Sequence, residues 1–368
     1  MPYGTVNADI VSAANGGSIG AGSGLAFVNR LINGDMRIDQ RNAGASVSFS
    51  SSFAYYLDRF GGRLQTSTGS TIAQSSVAPS GFNKSLLVTI GTGASATSSQ
   101  LNAIYQAIEG YNVADMNFGT ANAKTFTLSF WVRSSLTGTF GGAFQNNANN
   151  RSYPFTYTIS AANTWEQKSI TVAGDTTGTW ETTNNSGLTI WFDLGSGSNF
   201  QGTAGAWAGA DYRSATGATS VVGTNGATFY LTGVQLQKGD TATSFDYRPY
   251  GTELALCQRY CISYGLEYTN ARIAYGGWGS STSAWVSFPF PVTMRAAPSF
   301  TPVANGTLLL EGVAWYAVSA TPVLSGETSN KLGIINLSVS SSAASAGQVA
   351  IWGSGTIQQA KCIFSSEL

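Results

Sequence analysis

This sequence predicts an all-β protein, and three observations predict it. Several segments place apolar residues at every second position, the period of a half-buried strand. Aromatics make up 12% of the 368 residues, whereas charged residues make up only 10%, against roughly a quarter in average soluble domains. Forty-four glycines, with Ser, Thr and Asn, punctuate the apolar runs as turn signals. The expected layout is an extended N-terminal arm over 1–40, a β-sandwich over 41–250, a helical linker over 251–264 and a smaller C-terminal β-sandwich or barrel over 265–368.

Residues 1–25 are glycine and small polar residues with one apolar residue at a time, so they cannot build a core. They read as an arm that orders against a partner, with a flexible tail as the other possibility. The run Leu31–Arg41 alternates Leu31, Asn33, Asp35, Arg37 and Asp39 with Ile32, Gly34, Met36, Ile38 and Gln40. Its charges are expected to form an ion-pair row across a strand pair. Ser52–Arg63 is rich in aromatics and reads as one strand entering the core.

Regular alternation follows. Phe126, Leu128, Phe130 and Val132 share a face, as do Leu188, Ile190, Phe192 and Leu194, with shorter cases at Leu86, Val88 and Ile90 and at Ile170 and Val172. These are expected to be antiparallel strands of a sandwich. In Thr228–Gln237 the phase breaks near Gly233, which predicts a β-bulge. Leu254, Cys257, Cys261 and Tyr264 recur at helical spacing after Thr252, the expected N-cap. Beyond Gly265, Val286, Phe288, Phe290 and Val292 alternate with Pro289 and Pro291, and the prolines predict an edge strand. Ile335, Leu337 and Val339, then Val349 and Ile351, mark two further strands.

Composition also excludes chemistry. Eighteen basic residues balance eighteen acidic ones, so there is no electrostatic footprint for nucleic acid. Histidine is absent, which removes Ser-His-Asp catalysis and every histidine-ligated metal site. No cofactor motif is present, and no metal site is expected; loop Asp and Asn residues lack EF-hand spacing. Asp175, Glu181, Asp193 and Asp211 are the acid–base candidates near the sandwich strands, and they read as solvated loop or turn carboxylates rather than a catalytic pair. The chain is therefore expected not to be an enzyme. Cys257, Cys261 and Cys362 are expected to be buried thiols rather than a disulfide framework. No apolar stretch approaches a membrane span, and the N-terminus does not read as a signal peptide.

Trp131 and Trp191 each interrupt an inward-facing run, so both point away from the core. Indoles on an outer face suit stacking on the apolar faces of sugar rings, with Asn, Gln and Ser for the hydroxyls. Trp165 and Trp207, in polar loops, are further candidates. The other possibility is that loops, the arm or another subunit cover them. If they are a glycan platform, alanine at Trp131 or Trp191 should leave folding intact and weaken binding.

Three strings resemble bacteriophage tail-fibre and related virion proteins. They are Asn29–Arg41, Tyr56-Leu57-Asp58-Arg59-Phe60, and Phe229–Gly239 continuing through Phe245–Tyr260. Phe60 stands where that family usually has Trp. The resemblance implies a jelly-roll domain similar to carbohydrate-binding modules, followed by a C-terminal β domain. It implies a virion protein of tail or capsid surface, assembled in the host cytoplasm. It also implies a homotrimer, attached to another virion protein through residues 1–40, and contacts with host surface polysaccharide. Leu254, Cys257, Cys261 and Tyr264 are the expected oligomer contacts. The competing expectation is a purely structural virion component, such as a capsid decoration, capsid fibre or tail adaptor.

Overall fold

The computed structural model describes residues 11–12, 18–19, 27–265, 272–305, 307–310, 314–340, 344–353 and 360–368. Apart from a two-residue strand pair, Val11–Ser12 with Ser18–Ile19, the Gly-rich arm lies outside the described residues. The described chain is almost entirely antiparallel β structure with one short α-helix, arranged as sandwiches.

The first sandwich has two six-stranded sheets. Sheet I runs, edge to edge, Ser152–Ile159, Gly138–Gln145, Ser186–Asp193, Asn102–Glu109, Phe60–Leu64 and Ala54–Leu57. Sheet II runs Glu166–Val172, Phe126–Ser134, Thr228–Lys238, Ser85–Thr89, Thr71–Ser75 and Val47–Ser48. The alternating residues form the core between them: Phe126, Leu128, Phe130 and Val132 from sheet II face Leu188, Ile190 and Phe192 from sheet I, all buried. Rings meet edge to face across the gap, with Phe126 and Phe144 centroids 4.9 Å apart and Phe130 and Phe192 5.1 Å apart.

The bulge falls where the phase break predicts. Register against Phe126–Ser134 shifts between Thr232 and Gln235, and Gly233 has φ +59°. A side chain there would be strained, and its Cβ would come within 2.7 Å of Phe82.

Leu31–Arg41 departs from expectation. It is not a strand but a succession of turns, because Asn33 and Met36 both adopt φ +59°. Leu31, Met36 and Ile38 are buried, so this part of the expected arm is packed against the sandwich. Gly34 lies so close to the bulged strand that a Cβ would meet the Val234 carbonyl, and Val234 N–H donates to the Gly34 carbonyl at 2.9 Å. The charges do not form a cross-strand row. Asp35 pairs with Arg37 at 2.8 Å, whereas Arg41 reaches Glu367 at 3.0 Å. Ser52–Arg63 is likewise not one strand but a hairpin, turned at Asp58-Arg59 with Arg59 at φ +68°.

The helix is Tyr250–Gln258, preceded by Pro249 rather than capped by Thr252. Proline suits a helix entrance because the first N–H groups have no intrahelical partner. Glu253 in the first turn is buried against Arg248, at 3.2 Å. The chain then turns into a strand, Cys261–Tyr264, paired with Ala360–Ser365. The helical spacing of Cys261 and Tyr264 is overridden by that pairing.

The second sandwich faces a three-stranded sheet (Cys261–Tyr264, Ala360–Ser365, Ser299–Asn305) against a seven-stranded one. Trp278, Phe288, Trp352 and Phe364 fill its core. Among the described residues no pairing closes it into a barrel. Ser283–Pro289 is central in the larger sheet, not an edge. Proline is tolerated because pairing with Arg272–Trp278 ends at Ser287, so Pro289 faces a ladder on one side only, against Leu332.

The two sandwiches meet through buried charge. Arg59, 1% exposed, pairs with Glu367, donates to the Ala107 carbonyl and stacks 3.6 Å from the Tyr260 ring centroid. Arg259 and the Tyr260 hydroxyl converge on Glu109, the latter at 2.6 Å. Arg295 binds the carbonyls of Ser366 at 2.7 Å and Glu367 at 3.0 Å. Beside them, burial pushes the Asp58 carboxyl up to about 6, against the opposing pull of the Gln40 amides and Arg41.

Two predictions follow from this junction. Arg59→Met removes the more deeply buried of the two arginine partners of Glu367 and leaves it with Arg41 alone, so it should cost about 3 kcal/mol in urea unfolding, with part recovered in Arg59→Met/Glu367→Gln. Asp58 binds its proton more tightly folded than unfolded, so it adds stability as pH falls from about 6 towards 4. Over that window the wild type should gain about 2–3 kcal/mol relative to Asp58→Asn, measured as paired unfolding curves.

Candidate functional site

The outer face of sheet I carries the candidate site. Leu188, Ile190 and Phe192 point into the core, so Thr189 and Trp191 point out. Register places Gly61, Tyr105, Trp191 and Ala143 in one row across four strands. The small residues keep the sheet floor low, and Tyr105 leans over Gly61, where any Cβ would collide with its ring. Tyr105 and Trp191 stand side by side, with centroids 4.8 Å apart.

Loops raise the walls. Phe53 packs against Tyr105 at 5.9 Å and Trp191 at 6.2 Å, and is 48% exposed. The Arg213 guanidinium lies 4.6 Å from the Trp191 ring centroid and is held by Asp211 through contacts of 2.9 and 3.1 Å. Gln145 links the two: its Oε1 accepts from Trp191 Nε1 at 2.9 Å, and its amide donates to Asp211. Asn147 and Asn149 stand exposed at the rim. Leu368 closes one end, its carbonyl accepting from the Tyr55 hydroxyl at 2.6 Å. The cleft encloses about 320 Å³. Burial raises the pKa of both Tyr55 and Tyr105, so their hydroxyls, already protonated at neutral pH, stay donors into more alkaline solution as well.

Chemically, the cleft combines aromatic rings, amide and hydroxyl groups, and one cation already paired with a carboxylate. That mixture suits an uncharged polyhydroxylated ligand with apolar patches.

The structure separates the four sequence-predicted tryptophans. Trp191 lines the cleft but is only 5% exposed, so it is a wall and not an open platform. Trp131 is half-buried on the outer face of sheet II, on the opposite side of the sandwich. Trp165 shares that side, edge to face with Tyr230 at 6.0 Å. Trp207 spans the sandwich edge, packed on Tyr153 and donating Nε1–H to the Ala173 carbonyl at 2.8 Å. The candidate oligomer residues do not share one helical face. Leu254 and Cys257 are on the helix, Cys261 and Tyr264 on the following strand, and both cysteines are fully buried. Cys362 is also buried and free.

Nor are the acidic candidates all solvated. Asp175 is buried under Arg151, which holds its carboxyl below the usual range despite burial. Asp193 is buried near Ser196, and burial raises its pKa. Glu181 is half-buried and accepts from the Thr183 N–H at 3.1 Å, and Asp211 pairs with Arg213. Among the described residues no group of three His, Cys, Asp or Glu side chains could hold a metal ion.

Sequence reasoning missed Tyr105, Phe53 and Arg213. Asn102–Glu109 alternates Ile104 and Ile108 with Tyr105, which marks Tyr105 as outward. Arg213 has no comparable signal, since it sits in a loop with no periodicity.

No family model and no curated protein matches this chain. Among solved structures, a tailspike domain of bacteriophage CBA120 aligns over 58% of the chain at 12% identity and TM-score 0.32, and the chain spans 22% of it. A protein described as sugar-binding from Bacteroides thetaiotaomicron aligns over 57% of the chain and all of its own length, at 12% identity and TM-score 0.34. A xylan-binding domain from Paenibacillus barcinonensis aligns over 49% of the chain and 92% of its own, at 13% identity and TM-score 0.27. At such values these likenesses concern a general β-sandwich layout and nothing finer.

The burial of Trp191 reverses the folding expectation. Trp191→Ala should cost about 3–5 kcal/mol in chemical denaturation, and half-buried Trp131 clearly less.

Proposed function

We propose that the chain is a non-catalytic surface-attachment protein of a bacteriophage virion, whose first sandwich holds saccharide units in the sheet I cleft. The observation that carries the binding half is the cleft itself: the buried Tyr105–Trp191 pair in its wall, half-exposed Phe53 at its mouth and asparagines at its rim. The Bacteroides protein is described as sugar-binding and the Paenibacillus domain as xylan-binding; for this chain the proposal rests on the cleft alone. The virion half rests on the tail-fibre-like strings Asn29–Arg41, Tyr56–Phe60 and Phe229–Tyr260. A homotrimer, attached through its N-terminal segment, would turn weak single-site stacking into useful avidity.

A second reading, a purely structural virion component, is favoured by one observation. The Trp191 indole is already covered within the protomer by Arg213, Tyr105 and Phe53.

A glycan array with the full chain separates them. The attachment reading expects retention on neutral glycans, and Phe53→Ala, at an exposed position, should weaken it about five-fold or more with little loss of thermal stability. Affinity should change less than about two-fold between low and high salt, because no net charge is engaged. No retention on any glycan favours the structural reading.

A further inference from the structure

The seven-stranded sheet of the second sandwich has an outer face that the cleft does not use. Its inward positions, Ala284, Val286 and Phe288 among them, are buried in the core. The outward positions between them carry Trp285, 46% exposed, and on the next strand Tyr275, 54% exposed. These are diagonal neighbours, since Trp285 pairs with Gly277 and Tyr275 with Ser287. Register continues the Trp285 row to Asn336 and Val323 on one side and through Gly277 to Val349 on the other. Val323 and Val349 are also exposed.

Gly277 shapes this face. A Cβ built on it would touch the Trp285 ring at 3.3–3.5 Å, so the indole leans over the glycine and lies along the sheet. Ser283, Ser287 and Asn336 surround the rings, and none of the outward cross-strand neighbours of Tyr275 or Trp285 is charged.

We infer that this face is a second saccharide-contact surface, built to take the flat apolar side of a neutral pyranose chain. Two half-exposed rings supply stacking, and the flanking hydroxyls and amide supply hydrogen bonds. The uncharged surroundings of the two rings match a neutral ligand, with exposed Arg272, paired with Gly353, at the far end of the Tyr275 strand. Area argues against a second copy of the chain. Four half-exposed side chains offer roughly 300–400 Å², below the roughly 800 Å² per partner of a stable protein interface. The inference does not rest on the sheet I cleft, which lies on a different sandwich.

The test is affinity electrophoresis of the full chain through gels containing soluble β-glucan, xylan or galactan, in wild-type and Phe53→Ala backgrounds. Retardation by at least one polysaccharide is expected to survive Phe53→Ala in part. Adding Trp285→Ala should then reduce the remaining retardation about five-fold or more, with an unchanged thermal midpoint, while Trp285→Tyr retains most of it. Gly277→Val, which lifts the indole off the sheet, should act in the same direction as Trp285→Ala. Retardation indifferent to Trp285→Ala overturns the inference, as does no retardation by any of the three polymers. A sedimentation change without a retardation change overturns it in favour of self-association.

Discussion

The buried pairing of Arg59 with Glu367 is the contact on which the remaining architecture depends. A guanidinium at this depth is tolerable only with a carboxylate and hydrogen-bond acceptors in fixed positions. Arg59 therefore dictates where the segment Ser366–Leu368 must lie. Tyr260 beneath it fixes the end of the helix, and the Asp58-Arg59 turn fixes the hairpin at the edge of sheet I. A chain with only 36 Lys, Arg, Asp and Glu residues has placed several of them inside rather than on its surface. Low total charge and a charged interior are two sides of one arrangement. The polar surface is left largely to Ser, Thr and Asn, and ions are used to fix the join between sandwiches.

That join also shapes the cleft. Leu368 reaches the end of the cleft because Glu367 is held by Arg59 and Arg41 and its carbonyl by Arg295. Trp191 keeps its orientation because Gln145 and Arg213, both tied to Asp211, hold its nitrogen and one face. A cleft preorganised in this way loses little conformational entropy on binding a stiff ligand such as a sugar. Its small size matches one or two rings, so useful attachment would come from several sites acting together.

Much of the β framework was legible because it rests on period-2 patterns that need no partner to be seen. Phe126–Val132 and Leu188–Leu194 announced both their strands and their inward faces, and Gly233 announced the bulge. What was not legible was decided by residues far apart in sequence. Leu31–Arg41 alternates like a strand, yet positive φ at Asn33 and Met36 and the approach of Gly34 to Val234 bend it into turns. Cys261 and Tyr264 keep helical spacing, yet pair as a strand with a segment a hundred residues later. Pro289 signalled an edge but sits at the end of a central strand. The outward direction of Trp191 was readable; its cover by Arg213 and Phe53, and its distance from Trp131, were not, because loop and sheet partners leave no periodic trace.

The central claim is that the Trp191 cleft takes a sugar. Fluorine NMR of protein labelled with 5-fluorotryptophan tests it directly, with the Trp191 signal assigned from Trp191→Phe. Neutral oligosaccharides of glucose, xylose and galactose would be the probes. The account predicts that at least one shifts the Trp191 resonance saturably and leaves that of Trp131, on the opposite face, unmoved. A Trp191 resonance that stays fixed with every probe, or moves only together with Trp131, would contradict it.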